Sequence, residues 1–302
     1  MALTFSPDII RGAMNALFFQ KVIQSAPNIV PVCCNIINTN QGYVEFPHLG
    51  DVPQLKEWAG PRKITSLGHA KLTVRVLPYE ATVAFDRDHF DDDQMGAINM
   101  KLSQFAARAA NHPVKLFIET LIAATTTPSY DGVAFFSNSH PIRGEQTAVT
   151  DNLLAGAGTT VANIVSDLDE AKVYFRRVRD EANEPFTHEV SKMLIIAPPE
   201  LEQAMLEALF APINAAGATN MYQGAADLWI SGYLTDVNDW YVLNLSESQI
   251  KPFVFLNRQP LQVAISGLDR SEWTTNKQVN FGVDYRAGCA PTLFQLAAKI
   301  VN

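Results

Sequence analysis

The sequence predicts an α+β fold of two substantial lobes, and three patterns predict it. A long helical pattern runs through Ile98, Leu102, Phe105, Ala106, Ala109, Leu116, Phe117, Leu121 and Ile122. Ahead of it stand two strand-like segments enclosing a tip broken by proline and glycine. Behind it, a strand–helix–strand unit gives way to a strand-rich final third. At 302 residues, 47% of them hydrophobic, the chain exceeds a typical single domain and can fill real cores.

The first segment places Ile9, Ile10, Met14, Leu17, Phe18, Val22 and Ile23 near i, i+3, i+4 spacing, with Ser6-Pro7-Asp8 as a start signal, so it reads as an amphipathic helix. Between Ala26 and Asn40 an extended arm is expected, because a residue before proline, here Val30, disfavours the helical region.

GYVEFPHLG and HAKLTVRVLPYEATVAF then read as the outward and returning strands of a long hairpin whose tip is DVPQLKEWAGPRKITSLG. Its charges are lopsided: five basic residues (Lys56, Arg62, Lys63, Lys71, Arg75) stand against Glu57 from position 56 to 75. Positions 86 to 93 hold five acids (Asp86, Asp88, Asp91, Asp92, Asp93) against Arg87. A hairpin this long has too little core to stand alone and needs a neighbour to lie on. The acids precede the long helix, where they favour its dipole and unpaired amides. Pro113 is expected to kink or restart that helix, which as a whole can still act as one long spine.

Turn residues dominate 125–158, around the short apolar piece VAFF and the turn SNSHPIRG. A helix is predicted from about Asn163 to Glu181, then the strand KMLIIAPP and the helix PELEQAMLEALF, with Pro199 tolerated in its first turn. Residues 211–226 are small and loosely patterned and read as a loop. Strands follow in DLWISGYL, DWYVLNL, KPFVFLN, QVAIS, QVNFGVDYRAGCA and TLFQLAAKIV.

Several function classes fall away. A formal charge of −8 argues against generic binding to nucleic acid or an anionic membrane. The first 30 residues lack a signal-peptide pattern and no run of 18 apolar residues occurs, so a soluble, unexported chain is expected. Cys33, Cys34 and Cys289 have no metal spacing and read as small buried hydrophobes. No GxSxG, GxxxxGK[ST], GxGxxG or HExxH occurs, so neither a cofactor nor a catalytic residue is expected. The cluster Asp86, Asp88, His89, Asp91, Asp92 and Asp93 lacks the order of a calcium loop, which leaves a metal-dependent hydrolase as a lesser alternative. His140 before Pro141 reads as a hydrogen-bonded loop histidine. Trp229, Tyr233, Trp240 and Tyr241 read as sheet packing, and Arg176, Arg177 and Arg179 as the solvated face of a helix.

FPHLGDVPQLKEWAGPRK, FDRDHFDDD and YDGVAFFSNSHP resemble, in that order, the major head (capsid) subunits of Mu-like phages, which adopt the HK97-type capsid fold. FRRVRDEANEPF, KMLIIAPPELEQAMLEALF, LTDVNDWYVLN, KPFVFLNRQP and VNFGVDYRAGCAPTLFQLA extend the resemblance over about residues 40–300. It implies an N-terminal arm at 1–40, an extended E-loop hairpin at 41–84, a P-domain at 85–185 and 257–302 carrying a long spine helix, and an α/β A-domain at 186–256. It implies no enzyme, but a structural virion protein that closes into pentamers and hexamers around double-stranded DNA, after assembly in the host cytoplasm. Expected partners are further copies, a portal, a scaffold and protease encoded as separate proteins, decoration proteins and nonspecifically held DNA, with no membrane. A tail-tube or decoration protein is the alternative virion component. The expected contact sets Lys56, Arg62, Lys63 and Lys71 of one E-loop against Asp88, Asp91, Asp92 or Asp93 of a neighbour, with Trp58 as packing anchor.

Overall fold

The spine of the molecule is one helix of 29 residues, Met95–Ala123, about 45 Å long at the α-helical rise. The computed structural model describes residues 7–47, 71–86, 95–141, 149–179, 185–187, 189–213, 217, 219–247, 249–268 and 278–302. In chain order its helices are α1 (Pro7–Ser25), α2 (Ile29–Cys33), α3 (Met95–Ala123), α4 (Val161–Arg177) and α5 (Glu202–Phe210). Its strands are β1 (Cys34–Asn38), β2 (Tyr43–Pro47), β3 (Lys71–Arg75), β4 (Leu77–Asp86), β5 (His140–Pro141), β6 (Val149–Thr150), β7 (Leu153–Ala155) and β8 (Met193–Ala197). They continue as β9 (Asp227–Ile230), β10 (Trp240–Asn244), β11 (Phe253–Ser266), β12 (Gln278–Pro291) and β13 (Ala297–Val301).

Spine helix α3 keeps one apolar stripe (Ile98, Leu102, Ala106, Ala110, Val114, Phe117, Ile118, Leu121) buried from end to end. Of the expected outcomes at Pro113, the restart does not occur: the helix runs on through it as one long spine. Proline there removes one hydrogen bond, and the buried turns on either side, from Ala110 to Val114 and Phe117, hold the helix together. The N-terminal half of α3 packs with Met14 and Phe18 of α1 and with Phe85, Phe281 and Val283. Its C-terminal half enters a larger core with Phe253, Phe255, Tyr241, Leu243, Phe135 and Phe136.

A four-stranded sheet in the order β1-β11-β12-β4 lies along the spine, with β1 parallel to β11 and the other pairs antiparallel. The β11–β12 ladder slips between Asn257 and Gln262, around Pro260, which has no N–H to offer the ladder. The expected arm is different in one place. Residues Ile29–Cys33 form a short helix rather than extended chain. Pro31 falls in its first turn, where no intrahelical acceptor awaits an N–H, and burial of Ile29, Val30 and Cys33 outweighs the local preference of the residue before proline.

The returning hairpin strand also divides. β3 pairs with β2, from Tyr43 with Arg75 to Pro47 with Lys71. After Val76, whose N–H donates to the Gly42 carbonyl at 2.9 Å, β4 leaves the hairpin and pairs with β12 from Leu77 to Asp86. A Cβ on Gly288 of β12 would collide with the Arg75 carbonyl, so glycine sets how closely the hairpin root seats on the sheet.

The second lobe is a five-stranded sheet in the order β7-β13-β10-β8-β9. Both faces are covered, so β8 and β10 are buried at every position rather than alternating. Leu194, Ile196, Tyr241 and Leu243 face the spine core. Met193, Ile195, Trp240 and Val242 face Ile164, Leu168 and Phe175 of α4 and Met205 and Leu209 of α5. Segment 186–256 thus supplies β8, β9 and β10, and the layer is completed by β7, α4 and β13 from outside it.

Candidate assembly surface

Of the nine residues expected to join subunits, Lys71 alone falls among the described residues; Lys56, Trp58, Arg62, Lys63, Asp88, Asp91, Asp92 and Asp93 lie outside them. Lys71 sits on β3, with its Nζ 3.1 Å from Glu45 Oε1 across the hairpin on β2. Both side chains are largely exposed, 61% and 44%, so the pair contributes about 0–1 kcal/mol and leaves the ammonium open to further partners. The hairpin root is held instead by Val44, Phe46, Leu72 and Val74 packing on Ile37, Val254 and Leu256.

The turn after the spine, where YDGVAFFSNSHP folds, bridges the four-stranded sheet and the second lobe: Phe135 packs on Phe253 of β11 and Phe136 on Tyr241 of β10. Asp131 Oδ1 accepts the Val133 N–H at 3.1 Å, closing the turn, and its Oδ2 lies 2.6 Å from His140 Nδ1. His140 Nε2 faces the Phe135 carbonyl at 3.1 Å, and the ring is fully buried. Each ring nitrogen therefore faces an oxygen acceptor and neither reaches solvent, an arrangement that orients a turn and offers no atom to a substrate.

Asn152 is the residue that sequence reasoning missed. Its Nδ2 donates to the carbonyls of Phe135 at 2.8 Å and Ala297 at 3.2 Å, while its Oδ1 accepts the Ser137 N–H at 2.8 Å. Its own N–H donates to the Ser137 carbonyl at 3.1 Å, and its carbonyl accepts the Lys299 N–H at 2.9 Å. One buried amide thus joins the post-spine turn to β13. An asparagine in VTDNLL, among other turn residues, carries no signal of this role. Tyr174 of α4 adds its hydroxyl to the Phe294 carbonyl at 3.2 Å, and burial pushes that phenol's pKa well up.

A buried ion pair joins β13 to the turn before β10. Lys299 Nζ stands 2.6 Å from Asp239 Oδ2, with the side chains 13% and 8% exposed, and 5.7 Å from the centre of the Tyr241 ring. Asp236 builds the turn that presents Asp239. It accepts the N–H groups of Asn238 at 2.9 Å and Asp239 at 3.1 Å, and these hold its carboxyl below the usual range.

Trp240 and Tyr241 are core residues, as their pattern predicts, whereas Tyr233 is 46% exposed. Arg176 and Arg177 are exposed in the last turn of α4. Cys33 and Cys34 are buried, and burial pushes the Cys33 thiol up to about 12. Among the described residues no group of three His, Cys, Asp or Glu side chains could hold a metal ion, and no helix is long and apolar enough to cross a membrane.

A long spine helix laid on one sheet and capped by a second lobe, with a hairpin leaving at its root, is the architecture of HK97-type capsid subunits. The chain belongs to the family of the Mu-like prophage major head subunit gpT, which matches residues 9–175 and 235–301. The major capsid protein of Escherichia phage Mu is 31% identical over 124 residues, 41% of this chain and 41% of that one. The Mu-like prophage FluMu major head subunit of Haemophilus influenzae is 24% identical over 169 residues, 52% of this chain and 54% of that one. The chain thus spans about half the length of the relatives it matches. The procapsid of bacteriophage JBD30 shares the fold at a TM-score of 0.57 and 19% identity, over 99% of this chain and 76% of that one. The α+β, HK97-type expectation agrees with these findings. The family match skips 176–234, the stretch that carries β8, α5 and β9.

Proposed function

We propose that this chain is the repeating subunit of a phage head, closing into pentamers and hexamers that tile an icosahedral shell around double-stranded DNA. The observation that carries the reading is the family match over both halves of the molecule, from α1 through α4 and again from the turn before β10 to β13. Heterologous contacts repeated around a ring generate such closed assemblies. Residues 1–40 serve as the arm, 41–84 as the E-loop, 85–185 with 257–302 as the P-domain and 186–256 as the A-domain; of the E-loop, the part before Leu77 reaches outward, since β4 is paired with β12. The axial lobe also takes in β7, α4 and β13, because they share its sheet and core.

The E-loop lies on an adjacent subunit, with Lys56, Arg62, Lys63 and Lys71 toward Asp88, Asp91, Asp92 or Asp93 and Trp58 as anchor. The lopsided charge of the two segments supports this pairing. Each exposed pair contributes about 0–1 kcal/mol, so strength comes from repetition over the shell and from burying the indole. Portal, scaffold, protease and decoration proteins are further partners. DNA contact is weak and nonspecific, given 31 acids against 23 basic residues. Assembly takes place in the host cytoplasm and the product is the virion shell. Negative-stain microscopy of the expressed protein tests the reading: shells or isolated pentamers and hexamers are expected, and tubes or a monodisperse monomer would overturn it.

A further inference from the structure

Helix α1 has two apolar faces, and the described residues pack on one. Met14 and Phe18 are buried against the spine, with the Phe18 ring centre 5.2 Å from that of Phe281 and 6.0 Å from that of Phe105. The opposite face carries Ile9, Gly12, Ala16, Phe19 and Ile23, all exposed, with Ile9 at 60%, Phe19 at 39% and Ile23 at 77%. Their spacing of three, four, three and four residues is that of a seam by which one helix packs along another. Ala13, Gln20 and Gln24 beside the seam are exposed and uncharged. The helix's charges are occupied along its own length: Arg11 pairs with Asp8 at 3.7 Å and Lys21 donates to Gln24 at 3.1 Å.

The side-chain sizes say what covers this seam. Turned antiparallel upon itself about Ala16, the stripe sets Ile9 against Ile23, Gly12 against Phe19 and Ala16 against Ala16. Each match holds to within one residue, about 1.5 Å of helical rise. Gly12 has open space above it, with no described residue within 4 Å of where a Cβ would stand, so it offers room for a phenylalanine ring. No like charges meet along the seam, and antiparallel helix dipoles favour the pairing.

We infer that the outward stripe of α1 packs antiparallel against the same stripe of a second copy across a two-fold axis near Ala16. Such a contact is isologous, whereas contacts around a pentamer or hexamer are heterologous. It therefore assigns α1 to joining one ring to the next rather than to closing a ring. That assignment rests on the shell reading; the pairing itself does not.

The test places a cysteine on the axis, Ala16→Cys, in the full chain, and applies mild oxidation or a short bismaleimide to whatever species the protein forms. A covalent dimer absent from the parent chain is expected. Gly12→Phe fills the pocket and should reduce the dimer to the parent background, with the monomer still folded by circular dichroism. Adding Phe19→Ala to Gly12→Phe moves the ring to the other side of the seam and should restore it. Failure of Ala16→Cys to give a covalent dimer, or a dimer indifferent to Gly12→Phe, overturns the inference. Because linkage is read by gel and shells by microscopy, shells without linkage refute the pairing alone, and linkage without shells refutes the proposed function alone.

Discussion

His140 lies flat on Phe294, their ring centres 3.7 Å apart and their planes 2° from parallel. Tyr130 stacks on the same phenylalanine at 5.7 Å, and the Phe294 carbonyl takes the Tyr174 hydroxyl. A single residue just ahead of β13 thus gathers the post-spine turn and α4, so the two lobes share one polar and aromatic joint.

Breaking that joint should be expensive. His140→Ala takes one partner from the Asp131 carboxylate, which keeps the Val133 N–H, and one from the Phe135 carbonyl, which keeps Asn152, and it opens a cavity beside Phe294, a loss of about 2–4 kcal/mol. Asn152→Ala strands the Ser137 N–H, removes a donor from the carbonyls of Phe135 and Ala297, and should cost about as much. Urea unfolding measures both: an unchanged midpoint for either variant would show that the joint contributes nothing.

The buried Lys299–Asp239 pair makes a second expectation. Asp239→Asn leaves the ammonium without its counter-charge and should destabilise by about 3–5 kcal/mol. Replacing both, with Lys299→Met and Asp239→Leu, should recover much of that loss, because the desolvation of two ions disappears together. A double-mutant cycle in thermal unfolding reads the coupling.

His112 predicts a pH dependence. It sits one residue before Pro113, with Tyr79 at 4.4 Å and Tyr285 at 5.9 Å, and its Nε2 is buried with no hydrogen-bond partner among the described residues. Burial, with Lys115 second, lowers its pKa below 6.5, while Glu119 opposes. A folded pKa below the unfolded value means that the unfolded chain binds the proton more readily. Stability from this site is full above pH 6.5 and falls as pH drops from there through the folded value. His112→Phe should flatten that part of the curve of unfolding free energy against pH; an identical slope in wild type and variant would refute the assignment.

For the hairpin, reversing Lys56, Arg62 and Lys63 to Glu should block assembly while leaving the monomer's circular dichroism unchanged. Raising ionic strength should weaken wild-type assembly in the same direction, since exposed pairs are screened. Normal particles from the triple variant would sink the proposed pairing.

Much of this architecture was legible because it depends on periodicity. The stripe from Ile98 to Ile122 marks the spine, and the unbroken apolar runs MLIIA and WYVLN mark strands covered on both faces. Two features escaped because local preference competes with packing. Pro113 argues for a break that the flanking buried turns overrule, and Val30-Pro31 argues for extended chain where burial of Val30 and Cys33 keeps a helical turn. Long-range joints were the least visible. Asn152 and Ala297 are hydrogen-bonded at 145 residues' separation, and nothing local in either segment announces the other. The proposed inter-subunit contact was readable only as a charge imbalance, because a partner's position is not written in one chain's periodicity.

The seat of β13 between β7 and β10 constrains the order of events in synthesis. Residues 153–155 and 240–244 leave the ribosome before 297–301, so the sheet waits with a gap between β7 and β10 until that strand arrives. A chain stopped between them exposes two unsatisfied strand edges and lacks the Lys299 counter-ion for Asp239. Translation to residue 301 therefore acts as a checkpoint: a chain truncated before β13 presents open strand edges and is expected to be cut by added protease where the completed sheet is not.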